Sequence, residues 1–182
     1  MEPPDQAKPG ERRDFFKQAA ALILGGVAGI FPALAGLTVV FDPLRRKSQT
    51  SGFIRVASLV SLPNDGVPRR FQVIADRSDA WNKFPQVPIG AVYLRRTAED
   101  KVEAYNVVCP HAGCYVDYNV ERGSYLCPCH NSTFAIDGRI KDKKSPSARG
   151  LDSLEVEIRE GAKVWVKFQN FQAGKAEKKP VA

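Results

Sequence analysis

Apolar residues are arranged differently in the two parts of this chain. Residues 19–41 form 23 consecutive positions without a charged side chain. A helix of that length, rising about 1.5 Å per residue, spans a hydrocarbon core of roughly 30 Å. From residue 53 onward, apolar residues instead alternate with polar ones in short runs, as they do in half-buried strands. The pattern predicts one N-terminal transmembrane helix, 19–41, and an all-β head domain, 53–172.

The alternating runs of the head predict short antiparallel strands. These runs cover 53–59, 69–75, 91–95, 102–108, 124–126, 154–159 and 163–168. The last two place their apolar residues on one face and are separated by Glu160 and Gly161, which predicts a β-hairpin. Residues 78–84 could form a helical turn or two, but no stretch of the head has a sustained helical period.

The remaining segments are polar. Residues 42–52 are basic and without a period, as expected of a tether between membrane and head, and residues 173–182 are expected to form a solvated tail. Within residues 1–18, Arg12 and Arg13 precede apolar residues and Lys17, an order that resembles the twin-arginine export signal. That signal is used by domains that fold before export, so the resemblance implies a head on the outer side of a bacterial inner membrane.

A removable signal is the alternative to a membrane anchor. Ala33, Leu34 and Ala35 have the small-x-small form of a cleavage site. Cleavage after Ala35 would leave the apolar residues 36–41 on a loose exposed terminus. A retained single-pass anchor is therefore the favoured interpretation.

Composition narrows the class of protein further. Of the 182 residues, 43% are hydrophobic and 26% are charged, which is typical of a globular chain and not of a disordered one. The net charge of +7 is spread along the sequence, so nucleic acid is not an expected partner. All four cysteines and both histidines lie within residues 109–130, so this window holds the candidate chemistry.

Two short loops hold these residues. They read Cys109-Pro110-His111-Ala112-Gly113-Cys114 and, 12 residues later, Cys127-Pro128-Cys129-His130-Asn131-Ser132. A symmetrical set of four metal ligands takes one Cys and one His from each loop, and the spare cysteine of each loop can then join the other in a disulfide. Such a disulfide agrees with an oxidising compartment. Zinc binds the same donor types but seldom at this spacing with flanking cysteines, and two plain disulfides would leave the histidines unexplained.

The spacing C-x-H, 15 residues, C-x-x-H resembles that of the Rieske iron-sulfur proteins. With both extra cysteines present, the chain resembles the disulfide-bearing Rieske subunit of cytochrome bc-type quinol:cytochrome c oxidoreductases. The resemblance implies a Rieske-type antiparallel β-sandwich head with cluster-binding loops and one 2Fe-2S cluster per chain. It also implies that Cys109 and Cys127 bind the inner iron, that His111 and His130 bind the outer iron, and that Cys114 and Cys129 form the disulfide.

These residue types suit a high-potential electron acceptor. Neutral imidazoles in place of two thiolates remove two negative charges from the cluster and so raise its reduction potential. Imidazole also offers a site for the proton that accompanies an electron. The resemblance implies that His130 contacts a quinol hydroxyl, that a cytochrome b-type membrane subunit is a partner, and that the electron passes to a c-type cytochrome.

Two other functions fit parts of the sequence. The Rieske small subunit of a periplasmic molybdenum enzyme such as arsenite oxidase also combines an export signal with Rieske loops. A chain cleaved after Ala35 would be a free-standing periplasmic electron carrier. Rieske oxygenases and their ferredoxins are disfavoured, because soluble carriers need neither a membrane span nor a spare cysteine pair.

The chain departs from the family pattern in two loops. After the second-loop histidine, related subunits commonly have Gly, Ser, any residue and Tyr, where this chain has Asn131, Ser132, Thr133 and Phe134. Ser132 can still donate to a cluster sulfur, but Phe134 has no hydroxyl, so we expect a lowered reduction potential and menaquinol as the substrate. A third loop, 143–150, matches the family's proline-rich loop in position but keeps only Pro146, with Ala148 in place of a second proline.

Overall fold

The N-terminal part of the chain is a single long helix. The computed structural model describes residues 9–45, 52–78 and 82–181, which fall into two units, residues 1–47 and 48–182. Helix α1 covers Pro9–Arg45, and its side chains from 12 to 42 are almost all exposed. Within the described residues, one stretch, Arg12–Asp42, is long and apolar enough to cross a membrane.

Helix α1 is longer than the predicted transmembrane segment at both ends. It begins at Pro9, a residue that suits a first helical position because no intrahelical N–H is needed there. It continues through Arg45, so the first four residues of the predicted tether, 42–52, are helical, and residues 46–51 lie outside the described residues. A charged residue limits the part of a helix that suits hydrocarbon but does not end its backbone hydrogen bonding, so the helix extends beyond the uncharged residues.

Among its described residues, the head contains ten strands and one 3-10 turn. The strands are β1 Phe53–Ser58, β2 Arg69–Ser78, β3 Lys83–Ala98, β4 Lys101–Asn106, β5 Asp117–Asn119, β6 Ser124–Leu126, β7 Thr133–Ala135, β8 Ser153–Leu154, β9 Val156–Arg159 and β10 Lys163–Lys167, and the 3-10 turn is Leu59–Ser61. They form three antiparallel sheets: a terminal sheet of order β1-β10-β9, a central sheet of order β2-β3-β4-β8, and a loop sheet of order β5-β6-β7.

The terminal and central sheets share one apolar core, as the predicted sandwich requires. Val166 pairs with Ile54 on one side and Val156 on the other, and its side chain is fully buried together with Val73 and Leu94 of the central sheet. Alternation along these strands therefore directs one face of each sheet into the same interior.

A second apolar cluster lies beneath the loop sheet. Tyr93 of β3 and Tyr125 of β6 contribute to it, with ring centroids 5.0 Å apart. The Tyr93 hydroxyl donates to the Val116 carbonyl at 3.2 Å and accepts from the Tyr118 N–H at 3.1 Å. This buried hydroxyl joins the central sheet to the chain that enters β5.

All the runs read as strands contain strand in the structure, and the hairpin at Glu160 and Gly161 is confirmed by the pairing of β9 with β10. Strands β5 and β7 were not predicted, because they are three residues each and too short to show a period. The ends of 78–84, for which a helical turn was considered, are also strand. Ser78 and Lys83 pair as strand residues, because the β2–β3 ladder continues beyond Ala75.

The last residues of the chain are exposed but hydrogen-bonded. We refer to residues 169–181 as the C-terminal segment. Its side chains beyond Phe171 are solvated, as expected of the predicted tail. Its backbone nevertheless bonds to itself, with Gln172 N–H donating to Lys179 O at 2.9 Å, and to the head, with Gly174 N–H donating to Pro110 O at 2.8 Å.

Replacing Gly90 by alanine should destabilise the head. A Cβ at Gly90 would lie 2.3 Å from Cζ of Phe168, and Phe168 is only 4% exposed within the core and has little room to move. We expect Gly90→Ala to lower the free energy of unfolding by about 1–3 kcal/mol, measured by thermal unfolding in detergent with near-ultraviolet circular dichroism.

Gly52 provides the matched control, because no described residue other than its chain neighbours has an atom within 4 Å of the Cβ that Gly52→Ala would add. Equal melting temperatures for the two variants would show that Phe168 does not confine Gly90.

Candidate functional site

The first loop, residues 109–114, follows β4 and is closed by its own backbone. Cys109 N–H donates to Cys114 O at 2.6 Å, and Gly113 N–H donates back to Cys109 O at 2.9 Å. Gly113 has a φ of +82°, a left-handed conformation that glycine adopts without steric cost. These bonds form a tight loop that places Cys109 at its buried base, with His111 nearer the solvent.

The second loop, residues 127–132, repeats this arrangement between β6 and β7. Cys127 N–H donates to Ser132 O at 2.8 Å, and Asn131 N–H donates to Cys127 O at 3.0 Å. Asn131 occupies the left-handed position with a φ of +58°. Asn is among the few non-glycine residues that tolerate this conformation, so Asn131 can replace the family's usual glycine without changing the backbone.

A disulfide between Cys114 and Cys129 joins the two loops, as the resemblance implied. The sulfur of Cys127 lies within 4.8 Å of both disulfide sulfurs. Cys114 and Cys129 are oxidised and are therefore not available as thiolate ligands, although their sulfurs and that of Cys127 are close together. The disulfide instead holds the second loop against the first, above the two remaining cysteines.

Four donors of the two loops are free to bind a metal centre. Cys109 and Cys127 are reduced and 0% and 1% exposed. His111 is half-buried and His130 is exposed, and their ring centroids lie 4.9 Å apart with the rings perpendicular. Of the four residues chosen from the sequence, the two cysteines are thus buried beside each other, and the two imidazoles lie beside each other nearer the solvent.

The chemistry of these residues fits a 2Fe-2S cluster. Nδ1 of His111 and Oγ of Ser132 are buried and have no hydrogen-bond partner among the described residues, which leaves His111 a nitrogen for a metal. Burial raises the pKa of the Cys109 thiol, and the nearby Cys127 raises it further, while the His111 N–H lowers it. A buried thiol such as Cys109 ionises readily only when a cation neutralises it, as iron would.

The third loop, residues 143–150, is held by hydroxyl groups. Ser145 Oγ accepts from Thr133 N–H at 3.3 Å, which ties this loop to the strand after the second loop. Ser147 is buried and its Oγ donates to Arg149 O at 2.7 Å. Pro146 and Ala148 are exposed, so side-chain hydrogen bonds restrain the loop where the family's second proline is absent.

Sequence analysis missed one polar residue that supports the first loop. Asn106 is 1% exposed and interrupts the apolar face that Ala104 and Val108 share on the run 102–108. Its Nδ2 donates to Gln169 O at 2.9 Å, and its Oδ1 accepts from Val108 N–H at 3.0 Å. A polar residue at an apolar position of an alternating run was the available signal, because buried amides need hydrogen-bond partners.

Comparisons with known proteins agree with this site. The family described as the Rieske 2Fe-2S domain matches residues 54–157. The chain is 29% identical over 144 residues to the menaquinol:cytochrome c reductase iron-sulfur subunit of Geobacillus thermodenitrificans, a match that covers 76% of this chain and 82% of that protein. It is 33% identical over 75 residues to the chloroplastic cytochrome b6-f complex iron-sulfur subunit of Pisum sativum, covering 40% of this chain and 33% of the pea protein.

Comparison with solved structures gives matches with TM-scores below 0.5, among them the following two. The plasma membrane Rieske protein of the cyanobacterium Synechocystis PCC 6803 is 24% identical with a TM-score of 0.44, covering 62% of this chain and 97% of that one. Naphthalene 1,2-dioxygenase is 15% identical with a TM-score of 0.47, covering 72% of this chain and 28% of the dioxygenase.

Ligand cysteines and disulfide cysteines should respond differently to replacement. We expect Cys127→Ser to abolish iron binding and the visible absorption of the purified protein, because one of the two buried sulfur donors is lost. The double variant Cys114→Ser/Cys129→Ser should still bind iron. The disulfide of the unchanged protein joins residues 15 apart in sequence. Its loss in the double variant should lower the free energy of unfolding by about 3 kcal/mol.

Iron content and thermal unfolding in detergent measure both effects. Two results would contradict the assignment of two cysteines as ligands and two as the disulfide. They are full iron binding by Cys127→Ser and the absence of iron from a double variant that has been freshly prepared under anaerobic conditions.

Proposed function

The chain belongs to the Rieske 2Fe-2S domain family, and from this membership we propose that it is the iron-sulfur subunit of a membrane quinol:cytochrome c oxidoreductase. It takes one electron from a quinol and passes it to a c-type cytochrome. The observation that carries the proposal is the pairing of two buried cysteines with two outward imidazoles between disulfide-linked loops.

In this proposal the four free donors hold the cluster. Cys109 and Cys127 bind the inner iron, and His111 and His130 bind the outer one. The bound cluster accepts and releases one electron at a time. The protein keeps the sulfur side dry through the fully buried cysteines, and the buried Ser132 hydroxyl, which has no hydrogen-bond partner among the described residues, is proposed to donate to a cluster sulfur.

His130 is the proposed contact with the quinol. It is exposed, whereas His111 is half-buried and the sulfur donors are inaccessible. Its imidazole can therefore meet a hydroxyl group of a substrate, accept its hydrogen bond and take its proton while the electron enters the protein. No other donor of the site combines metal-ligating chemistry with this exposure.

Menaquinol is the proposed quinol. Phe134 is 0% exposed in the same apolar cluster as Cys109 and Cys127, so it supplies no hydroxyl where related subunits have tyrosine. Fewer hydrogen bonds toward the cluster lower its potential, and menaquinol is a stronger reductant than ubiquinol. The Geobacillus relative is named for menaquinol, which supports this choice.

Helix α1 is the proposed single-pass anchor, and the head is proposed to lie on the periplasmic or outer side of a bacterial inner membrane. The relatives named above belong to a cytochrome c reductase and to a cytochrome b6-f complex, which supports a cytochrome b-type membrane partner. Arg12 and Arg13 are exposed on α1, and we propose export by the twin-arginine route with the helix retained.

Quinol reduction of the cluster tests the proposed function. In membranes containing the full chain, we expect menadiol to produce the electron paramagnetic resonance signal of the reduced cluster. Decylubiquinol should reduce a smaller fraction, because each 59 mV or so changes a one-electron equilibrium tenfold.

Dithionite serves as the control in this experiment, because it reduces the cluster without a quinol site. A full dithionite signal with no reduction by either quinol would disprove quinol oxidation.

Restoring the missing hydroxyl should raise the reduction potential. Phe134→Tyr adds a donor within the cluster's surroundings, and one hydrogen bond of about 1 kcal/mol corresponds to about 40 mV for a one-electron couple. A redox titration of the purified full chain measures the midpoint potential.

Phe134→Leu is the matched variant for this comparison, because it alters packing without adding a hydroxyl and should leave the potential near its original value. Equal midpoint potentials for the tyrosine and leucine variants would show that the missing hydroxyl at Phe134 does not lower the reduction potential.

A further inference from the structure

A buried ion pair lies at the end of the third loop. Arg149 Nε donates to Asp152 Oδ1 at 2.9 Å, and its Nη2 donates to Asp152 Oδ2 at 2.8 Å. The two side chains are 10% and 6% exposed, whereas the Arg139–Asp137 pair nearby in sequence is 85% and 35% exposed. A guanidinium buried at a two-point contact keeps its charge and is poorly screened by solvent.

One side of this pair is attached to the base of the first loop. Asp152 O accepts from Asn106 N–H at 2.8 Å, and Asn106 holds Val108 N–H, immediately before Cys109. Leu151, between the paired residues, is buried in the same apolar cluster as Cys109. The ion pair therefore borders the buried sulfur side of the site.

The other side is attached to the C-terminal segment. Nη1 of Arg149 donates to the carbonyl of Lys175, and the adjacent Gly174 N–H donates to Pro110 O at 2.8 Å. Pro110 stands between Cys109 and His111 in the first loop. Arg149 thus fixes the C-terminal segment at Lys175, and the preceding residue, Gly174, bonds to the backbone between the proposed ligands Cys109 and His111.

Arg149 also interacts electrostatically with Cys109. The carboxylate of Asp152 raises the pKa of the Arg149 guanidinium most, and the charge of Cys109 raises it as well. A charge that responds to the Cys109 sulfur also acts on any negative charge that an added electron places there.

We propose that Arg149 is a positioning residue that raises the reduction potential of the cluster by holding a buried positive charge beside the first loop, and that it separately fixes the C-terminal segment across that loop. Asp152 opposes part of this effect, and the balance between the two side chains tunes the electron acceptor. The proposal concerns the reduction potential of the cluster and does not depend on which quinol reduces it. It can therefore fail while the proposed quinol oxidation holds, and it can hold if quinol oxidation is disproved.

Charge variants of the purified full chain test the proposal through midpoint potentials at a single pH. Arg149→Gln removes the positive charge and should decrease the equilibrium constant for cluster reduction at least tenfold, which is about 59 mV. Asp152→Asn removes the negative charge and should increase that constant. A purely structural role for the pair would not move the potential in opposite directions.

Two further variants separate the charge from the clamp. Arg149→Lys keeps the charge and should leave the equilibrium constant within about twofold of its original value, although cleavage after Lys175 by a lysine-specific protease should be faster. Arg139→Gln removes an exposed charge and should also change the constant less than twofold.

The proposal is overturned if Arg149→Gln and Asp152→Asn shift the potential in the same direction, or if neither differs from the unchanged protein. If Arg149→Gln does not retain the cluster, Asp152→Asn decides alone, and a potential that is not raised by that variant overturns the proposal.

Discussion

The site depends on burying two cysteine sulfurs without leaving the surrounding backbone unsatisfied. Each cysteine begins a loop that bonds back to it twice, through its own N–H and its own carbonyl. The backbone polar groups of both cysteines are therefore satisfied within their own loops, and the Cys114–Cys129 disulfide holds the loops together. Because the thiols are dry and adjacent, they favour a bound cation, while the imidazoles remain within reach of solvent.

This local closure explains which departures from the family pattern the chain accommodates. Asn131 can replace glycine because the loop requires a left-handed residue and not specifically a missing side chain. Serine hydroxyls restrain the third loop where a second proline is absent. Phe134 differs in kind, because its side chain is fully buried in the second apolar cluster and carries no hydroxyl that could donate a hydrogen bond.

The head divides structural and chemical roles between two apolar clusters. The terminal and central sheets enclose a conventional aliphatic core, and the second cluster, rich in tyrosine, supports the loops from below. Tyr93 links the two regions through its buried hydroxyl. Three polar residues around the second apolar cluster connect the first loop to the third loop and to the C-terminal segment: Asn106, Arg149 and Asp152. They place charges and dipoles near the proposed iron-sulfur site.

Much of this protein follows from short-range features of its chain. The 23 uncharged residues predict a membrane-spanning helix, and the alternation along β9 and β10 predicts a hairpin. The spacing of Cys109, His111, Cys127 and His130 restricts the cofactors that the chain could bind. Each of these features is a property of residues close together in the sequence. Folding alone decided that Arg149 and Asp152 are buried, that the C-terminal segment bonds to Pro110, and that β5 and β7 are strands. Those features arise where segments far apart in sequence pack together. A residue that is buried by a distant segment belongs to no periodic pattern or motif spacing that could be recognised in the sequence.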